Sequence, residues 1–304
     1  MSLLVVGTIA YDSIETPHGR VEEELGGSAT YFALAASRFS QVRLVGAVGA
    51  DFQRERFRVF EGRDVDQAGV QTIANGKTFR WSGRYQGDMN SAETLETQLN
   101  VLATFDPKLP PGFETTPFGF LAHAEPRVQL SVLEQTKAAH ATGKRFVMAD
   151  TMNLWIEHDR KALLEVLKQV DAVILNDGEA RMLTGERNLI RAGQKVLELG
   201  PKAAIVKKGE HGAFLFSTYV FHAMPAYPVA EVVDPTGAGD SFAGGLMGYL
   251  ARSGRVSIAN LKQGMLYGTV AASFTVAGFG TRSLAKATRE DFDVRLAEFQ
   301  HFVS

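Results

Sequence analysis

Between Asp234 and Gly245 the chain reads DPTGAGDSFAGG and runs directly into the apolar stretch LMGYLARSG. A helix N-terminus leaves its first N–H groups without partners and carries partial positive charge, so glycines just ahead of it let a phosphate approach the backbone. Gly237 and Gly239 meet that need, with Ala238 between them. Asp240, at the start of the helical run, can accept a proton from a hydroxyl while those amides stabilise charge on a transferring phosphoryl group. The same residues also read as an Asp N-cap behind a Gly-rich loop, with Gly244, Gly245 and Gly248 only allowing close helix packing. On the residues alone both readings stay open.

Other chemistries find less support. There is no G-x-x-x-x-G-K-[ST], and Gly7-Thr8-Ile9-Ala10 stands where a dinucleotide-binding G-x-G-x-x-G would follow the first strand, which weakens a dehydrogenase. The absence of cysteine removes disulfides, thiolate zinc sites and a cysteine nucleophile, and fits a cytoplasmic protein. No two of the seven histidines have close metal-ligand spacing, so a structural zinc site is rejected. His123, in FLAHAEP, is the histidine that strand-end logic best positions to meet a substrate, although a loop histidine without that role is the plainer reading.

The elements that must hold these groups alternate. Short β-rich apolar runs fall at Leu3–Gly7, Val42–Gly49, Phe118–Ala122, Arg145–Asp150, Ala172–Asn176 and Ala203–Lys208, with a hairpin across Ala213–Ala226. Helical spacing falls at Ser28–Phe39, Arg127–Ala141, Asp159–Lys168, Asn188–Leu199, Ser241–Arg252, Ile258–Val276 and Arg289–Phe302. This is the pattern of a parallel sheet wrapped by helices, an α/β fold whose ligands bind beyond the carboxyl ends of the strands. Two segments, about 13–24 and 72–100, break the alternation; they are polar and turn-rich, and fit one small β layer that could close over a substrate and exclude water. At 304 residues, 45% hydrophobic, the chain can bury a large core, and a formal charge of −2 offers no broad attraction for nucleic acid or an anionic membrane. The opening MSLLVVGTIAYDSI has no basic flank and too short an apolar run to span a bilayer, so it reads as a first strand.

Taken with its company, DPTGAGDSFAGG resembles the C-terminal signature of the ribokinase-like (PfkB) family of carbohydrate and nucleoside kinases. Gly26-Gly27 opening a helix and VGAVGAD from Val45 to Asp51 resemble the family's first signature, Asn176-Asp177-Gly178-Glu179 its N-x-x-E motif, and Val206 to Ala213, VKKGEHGA, its nucleotide-binding G-x-x-G turn. The resemblance implies a ribokinase-like three-layer α/β/α sandwich over residues 1–304, with a mostly parallel sheet and a small β-sheet lid. It implies an ATP- and Mg²⁺-dependent kinase with Asp240 as general base and Gly237, Ala238 and Gly239 as the anion hole. Asn176 and Glu179 would help hold magnesium, through water because Mg²⁺ keeps much of its hydration shell. Lys207, Lys208, Gly209 and Gly212 would lie along the nucleotide, with Gly268 and Ala272 on one wall of the adenine pocket. Asp12, Gly26, Gly27 and Ser28 would face the acceptor, since a carboxylate can take vicinal hydroxyls and glycine amides let a polyol approach. Asp150 and Asn153 resemble a looser D-x-N element.

Three departures bear on the substrate. Tyr31 stands where many sugar kinases of the family carry asparagine, and either it offers an aromatic face that favours a nucleoside or an unusual polyol over free ribose, or it is equally a core residue. Arg54 stands near the position of a family glycine. Pro235 replaces a common threonine and donates no N–H, which argues against the potassium activation that the resemblance allows through the Asp234 loop. The expected partner is a small sugar, polyol or nucleoside, without nucleic acid or membrane, and a homodimer through the β lid is in keeping with the family. A nucleotide- or sugar-binding protein without turnover is the reading from a different class; a base beside an intact Gly-Ala-Gly turn favours catalysis.

Overall fold

The structure is a computed structural model that describes residues 1–141 and 145–303. β1 (Leu3–Val6) leads into the hairpin β2 (Ala10–Thr16) and β3 (Gly19–Gly26), then α1 (Ser28–Ala36) and β4 (Val42–Gly49). β5 (Val65–Ile73), β6 (Phe79–Tyr85), β7 (Ala92–Gln98) and β8 (Phe118–Leu121) follow. The middle of the chain alternates: α2 (Pro126–Gln135), α3 (Lys137–Ala141), β9 (Phe146–Asp150), α4 (Asn153–His158), α5 (Arg160–Leu167), β10 (Ala172–Asn176), α6 (Asp177–Thr184), α7 (Leu189–Glu198) and β11 (Ala203–Lys207). After the hairpin β12 (Ala213–Ser217) and β13 (Phe221–Met224) come α8 (Ala238–Ser253), α9 (Ile258–Thr275), α10 (Arg282–Lys286) and α11 (Arg289–Val303).

Nine strands form one sheet in the order β13-β12-β11-β10-β9-β8-β1-β4-β5. From β11 to β5 every neighbouring pair is parallel, and only β12 and β13 run antiparallel at one edge. Both faces are buried, which is why these strands read as continuous apolar runs rather than as alternation. Leu3 and Val5 belong to a core with α1, α8, α9 and α11, while Leu4 and Val6 belong to a second core with α2 and α5 on the other face. A third cluster packs α5, α6 and α7 on β10 and β11. Each fully buried Leu, Val or Phe contributes about 1.5–3 kcal/mol, so this double burial fixes the direction in which every strand end points. Glycines let α8 approach its neighbours closely: a Cβ on Gly244 would lie 2.4 Å from the Phe32 carbonyl oxygen in α1. Among the described residues no helix is long and apolar enough to cross a membrane.

Four strands form a second, smaller sheet in the order β3-β2-β6-β7. It is mixed: β2 pairs antiparallel with β3 but parallel with β6, which pairs antiparallel with β7. Asp51, just past β4, ties it to the large sheet by accepting from the Thr78 amide at 2.7 Å and hydroxyl at 2.8 Å and pairing with Arg80 at 2.8 Å. The Tyr85 hydroxyl lies 3.3 Å from that of Thr236, and Asn90 donates to Glu210 at 3.1 Å. The small sheet therefore rests on both the Asp234–Gly237 loop and the Gly209–Glu210 turn. One segment differs from the sequence reading: Val65–Ile73 is β5, the parallel edge strand of the large sheet, so residues 72 and 73 lie in that sheet and not in the smaller one. Its mixed polarity, VDQAGVQTI, reflects an edge whose residues are mostly partly or fully exposed, which hid it among loop-like residues.

Candidate active site

The turn that opens α8 is built for close approach. Asp234 is buried and spends both carboxylate oxygens on the backbone, accepting from Thr236 N–H at 2.9 Å and Gly280 N–H at 2.8 Å. Gly237, the N-cap residue, has φ 76°, a conformation that L side chains rarely adopt, and a Cβ there would lie 2.3 Å from the Tyr31 ring. No side chain caps α8, whose 16 residues start at Ala238; the Ala238 N–H bonds to the Pro235 carbonyl at 3.1 Å, while the next amides of the first turn lack the usual Ser, Thr or Asp partner. Asp240 is buried in the first turn, its Oδ1 has no hydrogen-bond partner, and burial raises its pKa despite the nearby His123 and Lys207 cations.

Three strand ends bring charges to this carboxylate. Asp150 closes β9, Lys207 closes β11 and His123 follows β8. Lys207 Nζ donates to Asp150 Oδ2 at 3.1 Å, and its ammonium lies 2.9 Å from where a Gly239 Cβ would stand. His123 Nε2 is 3.2 Å from the same Oδ2, close enough for an ion pair but out of line for a hydrogen bond, and Nδ1 is 3.9 Å from Asp240 Oδ1. Burial alone would lower the imidazole pKa; the Asp150 and Asp240 carboxylates outweigh it and raise His123 to about 9. Burial would raise Asp150, but His123 and Lys207 together hold it below the usual carboxylate range. Lys207 is likewise raised, its carboxylate neighbours overcoming burial. Asp240, Asp150, Lys207 and His123 thus form one buried set of opposed charges.

Asn176 and Glu179 form a reciprocal capping box on α6: Asn176 Oδ1 accepts from Glu179 N–H at 2.8 Å, and Glu179 Oε2 accepts from Asn176 N–H at 2.7 Å. Glu179 is buried with its pKa raised by that burial and by Asp150. Lys208 behaves differently from its neighbour. Its ammonium sits 3.7 Å over the Phe214 ring, because successive residues at a strand end turn to opposite faces; only Lys207 reaches Asp150 and the α8 turn. Gly209 and Gly212 bracket the turn beneath the small sheet, both with positive φ. Gly268 serves helix packing, since a Cβ there would lie 2.6 Å from the Phe242 carbonyl oxygen, and the partly buried Ala272 also packs against the core.

At the Gly26-Gly27 turn, Asp12 is buried and its Oδ2 accepts a long 3.4 Å bond from Gly27 N–H. Burial raises Asp12 to about 7, with Asp234 and Asp240 adding to the effect and the Gly27 bond opposing it. The carboxylate fits only beside glycine: a Gly26 Cβ would lie 1.9 Å from Oδ2. Ser28 locks α1 to β1, exchanging bonds with Thr8 at 2.8 and 3.0 Å. Tyr31 corrects an expectation. It is 1% exposed and packs under Gly237, so it offers no open face to an acceptor, and its hydroxyl has no partner among the described residues.

The open space lies elsewhere. A cavity of about 290 Å³ runs from Gly7 and Thr8 past His123 to the small sheet, and its walls carry Phe79, Trp81, Phe105 and Trp155. Asn153 also lines it, whereas Asp12, Gly26, Gly27 and Tyr31 do not. The sequence reading missed these aromatics because they come from three separate segments; the only local signal was FRW, Phe79 to Trp81, in an otherwise polar insert. It also left Asp150 with a loose motif, since its partner Lys207 lies 57 residues away.

The family model that describes a pfkB family carbohydrate kinase matches residues 2–288. The chain belongs to that family. It is a phosphotransferase with an alcohol group as acceptor. It is 30% identical over 255 residues to a cytidine kinase of Thermococcus kodakarensis, an alignment that covers 82% of this chain and 88% of that protein. In fold it is similar to a ribokinase of Giardia lamblia, with TM-score 0.83, 18% identity and coverage of 98% of this chain and 99% of the other. It is also similar to the nucleoside kinase of Burkholderia thailandensis in complex with inosine, with TM-score 0.76, 20% identity and coverage of 97% and 98%. The three-layer α/β fold with a large, mostly parallel sheet and a smaller one is thus the fold of this pfkB kinase.

Proposed function

We propose that the protein transfers the γ-phosphoryl group of ATP to a hydroxyl of a nucleoside-like acceptor, a hydroxylated ring carrying a planar, largely apolar group. One observation carries the transfer: the uncapped N-terminus of α8, the Lys207 ammonium and the Asp240 carboxylate converge on one turn. Asp240 takes the proton of the acceptor hydroxyl as its oxygen bonds to the γ-phosphorus and the bond to the β-phosphate oxygen breaks. The Gly237–Gly239 amides and Lys207 meet the charge on the transferring group. Glu179 suits a hydrated Mg²⁺, since it is a hard oxygen donor buried beside the turn with one oxygen engaged by Asn176. Magnesium, when bound, neutralises phosphate charge.

The acceptor class rests on the cavity. Four aromatic side chains beside His123 suit a planar base, while Thr8, Glu125 and Asn153 in the same lining offer partners to the hydroxyls of an attached sugar. The small sheet is the cover in this reading, and pairing of two copies through the exposed edge strand β7, in keeping with the family, is tested by sedimentation velocity. The deciding experiment is an ADP-release screen of the purified protein against cytidine, purine nucleosides, ribose, fructose and inositol. Turnover on a nucleoside well above that on free sugars is expected. Preference for ribose or fructose overturns the acceptor, and no turnover despite ATP binding favours a binding protein.

A further inference from the structure

A buried base has an electrostatic difficulty. Desolvation pushes the Asp240 carboxyl toward its neutral, protonated form, which cannot accept a hydroxyl proton. Asp12 and Asp150 add negative charge around it. Among the described residues the cations that face it are Lys207 and His123, and they are not equivalent. Lys207 is hydrogen-bonded to Asp150 and lies along Gly239, on the phosphate side. His123 stands between the two carboxylates, with Nε2 3.2 Å from Asp150 and Nδ1 3.9 Å from Asp240, and its outer surface lines the aromatic cavity. Asp240 Oδ1 is buried with no hydrogen-bond partner among the described residues, and His123 Nδ1 faces it across a 3.9 Å gap while Nε2 faces Asp150.

We propose that His123, held by Asp150, is a positioning residue that keeps Asp240 ionised and aimed at the acceptor hydroxyl. The inference rests on Asp240 being the base. Asp150 supplies the anchor: fully buried, it also accepts from Thr151 N–H at 2.8 Å, so its carboxylate is fixed and the imidazolium beside it is fixed in turn. The other groups around His123 do not replace it. Lys207 is engaged by the same Asp150 oxygen, Glu179 on α6 acts at longer range, and Glu125 in its own loop pairs with Arg127 at 2.7 Å. An acceptor filling the cavity covers the exposed side of His123, removes water from it and strengthens its hold on Asp240.

The test needs no acceptor. Protein carrying ¹³C-carboxyl aspartate and ¹³C-histidine is titrated by NMR in the wild type, His123→Gln, Asp150→Asn and, for assignment, Asp240→Asn. The expected results are an imidazolium at His123 through neutral pH, a lower His123 midpoint in Asp150→Asn, and an Asp240 midpoint raised by about one pH unit in His123→Gln, a tenfold change in its proton affinity. A neutral His123 at pH 7 in the wild type, or an Asp240 midpoint unmoved by His123→Gln, overturns the proposal. Should His123→Gln not fold, the wild-type and Asp150→Asn titrations still decide it. Failure of the phosphoryl-transfer reading would appear separately, as absent turnover with these midpoints as expected.

Discussion

Asp240 and Asp12 are both buried carboxylates, but the residues around them set different tasks. Asp240 faces two cations beside the Gly237–Gly239 turn, so removing its charge should stop proton acceptance while leaving the packing intact. Asp240→Asn is expected to keep the wild-type melting temperature within a few degrees and to lower kcat about 10²–10⁴-fold, measured by ADP release on the acceptor found by screening. Asp12 has no cation beside it. Its native pKa of about 7 lies above the ordinary 3.8, so the native state binds the proton more tightly than the unfolded chain. Its contribution therefore declines as pH rises from about 4 to about 7 and is flat above. Asp12→Asn, which keeps an acceptor for the Gly27 amide, should gain on the order of 2–4 kcal/mol over the wild type at pH 8 relative to pH 4, read from urea unfolding at both values; equal differences at the two pH values count against a buried, unpaired Asp12. At this scale the sequence disclosed Asp240 and its glycines, because they are contiguous. It could not disclose the Asp150–Lys207 pair, and it left Tyr31 between an open aromatic face and the core, where the structure buries it. Whether a ring looks outward is decided by what packs on it, here Gly237.

The elements carry the next level. α8 starts without a side-chain cap where Gly237 turns the chain with a positive φ over the Tyr31 ring. Gly237→Ala would meet both the backbone cost and the ring; a loss of about 2–4 kcal/mol is expected, seen as a lower urea midpoint together with a raised KM for ATP. An unchanged midpoint would mean that the turn relaxes freely. Strands with two buried faces and helices with strong spacing were legible, and their boundaries fall within a few residues of the apolar runs. β5 was not, because an edge strand with largely exposed residues has no apolar run to show. α6 was hidden for another reason: its capping box, Asn176 with Glu179, was read as a motif for magnesium, and the same two side chains also start a helix.

At the scale of the whole molecule, the large sheet aligns the ends of β1, β8, β9, β10 and β11 on one side, and the small sheet rests above them. Nothing in the local sequence states that arrangement; it follows from parallel pairing and right-handed crossovers, which leave all carboxyl ends together. The small sheet touches the Asp234–Gly237 loop and the Gly209–Glu210 turn at two points, Tyr85 on Thr236 and Asn90 on Glu210. The Tyr85 contact makes stoichiometry a readout of architecture. With that hydroxyl in place, each ATP consumed should yield one phosphorylated acceptor; in Tyr85→Phe, water gains entry and nucleotide is spent without product. The ratio of ADP to phosphorylated acceptor is expected to rise above one in that variant, and a ratio that stays at one would mean the cover seals without Tyr85. A single phenol at the end of one strand would then govern how economically the enzyme uses its nucleotide.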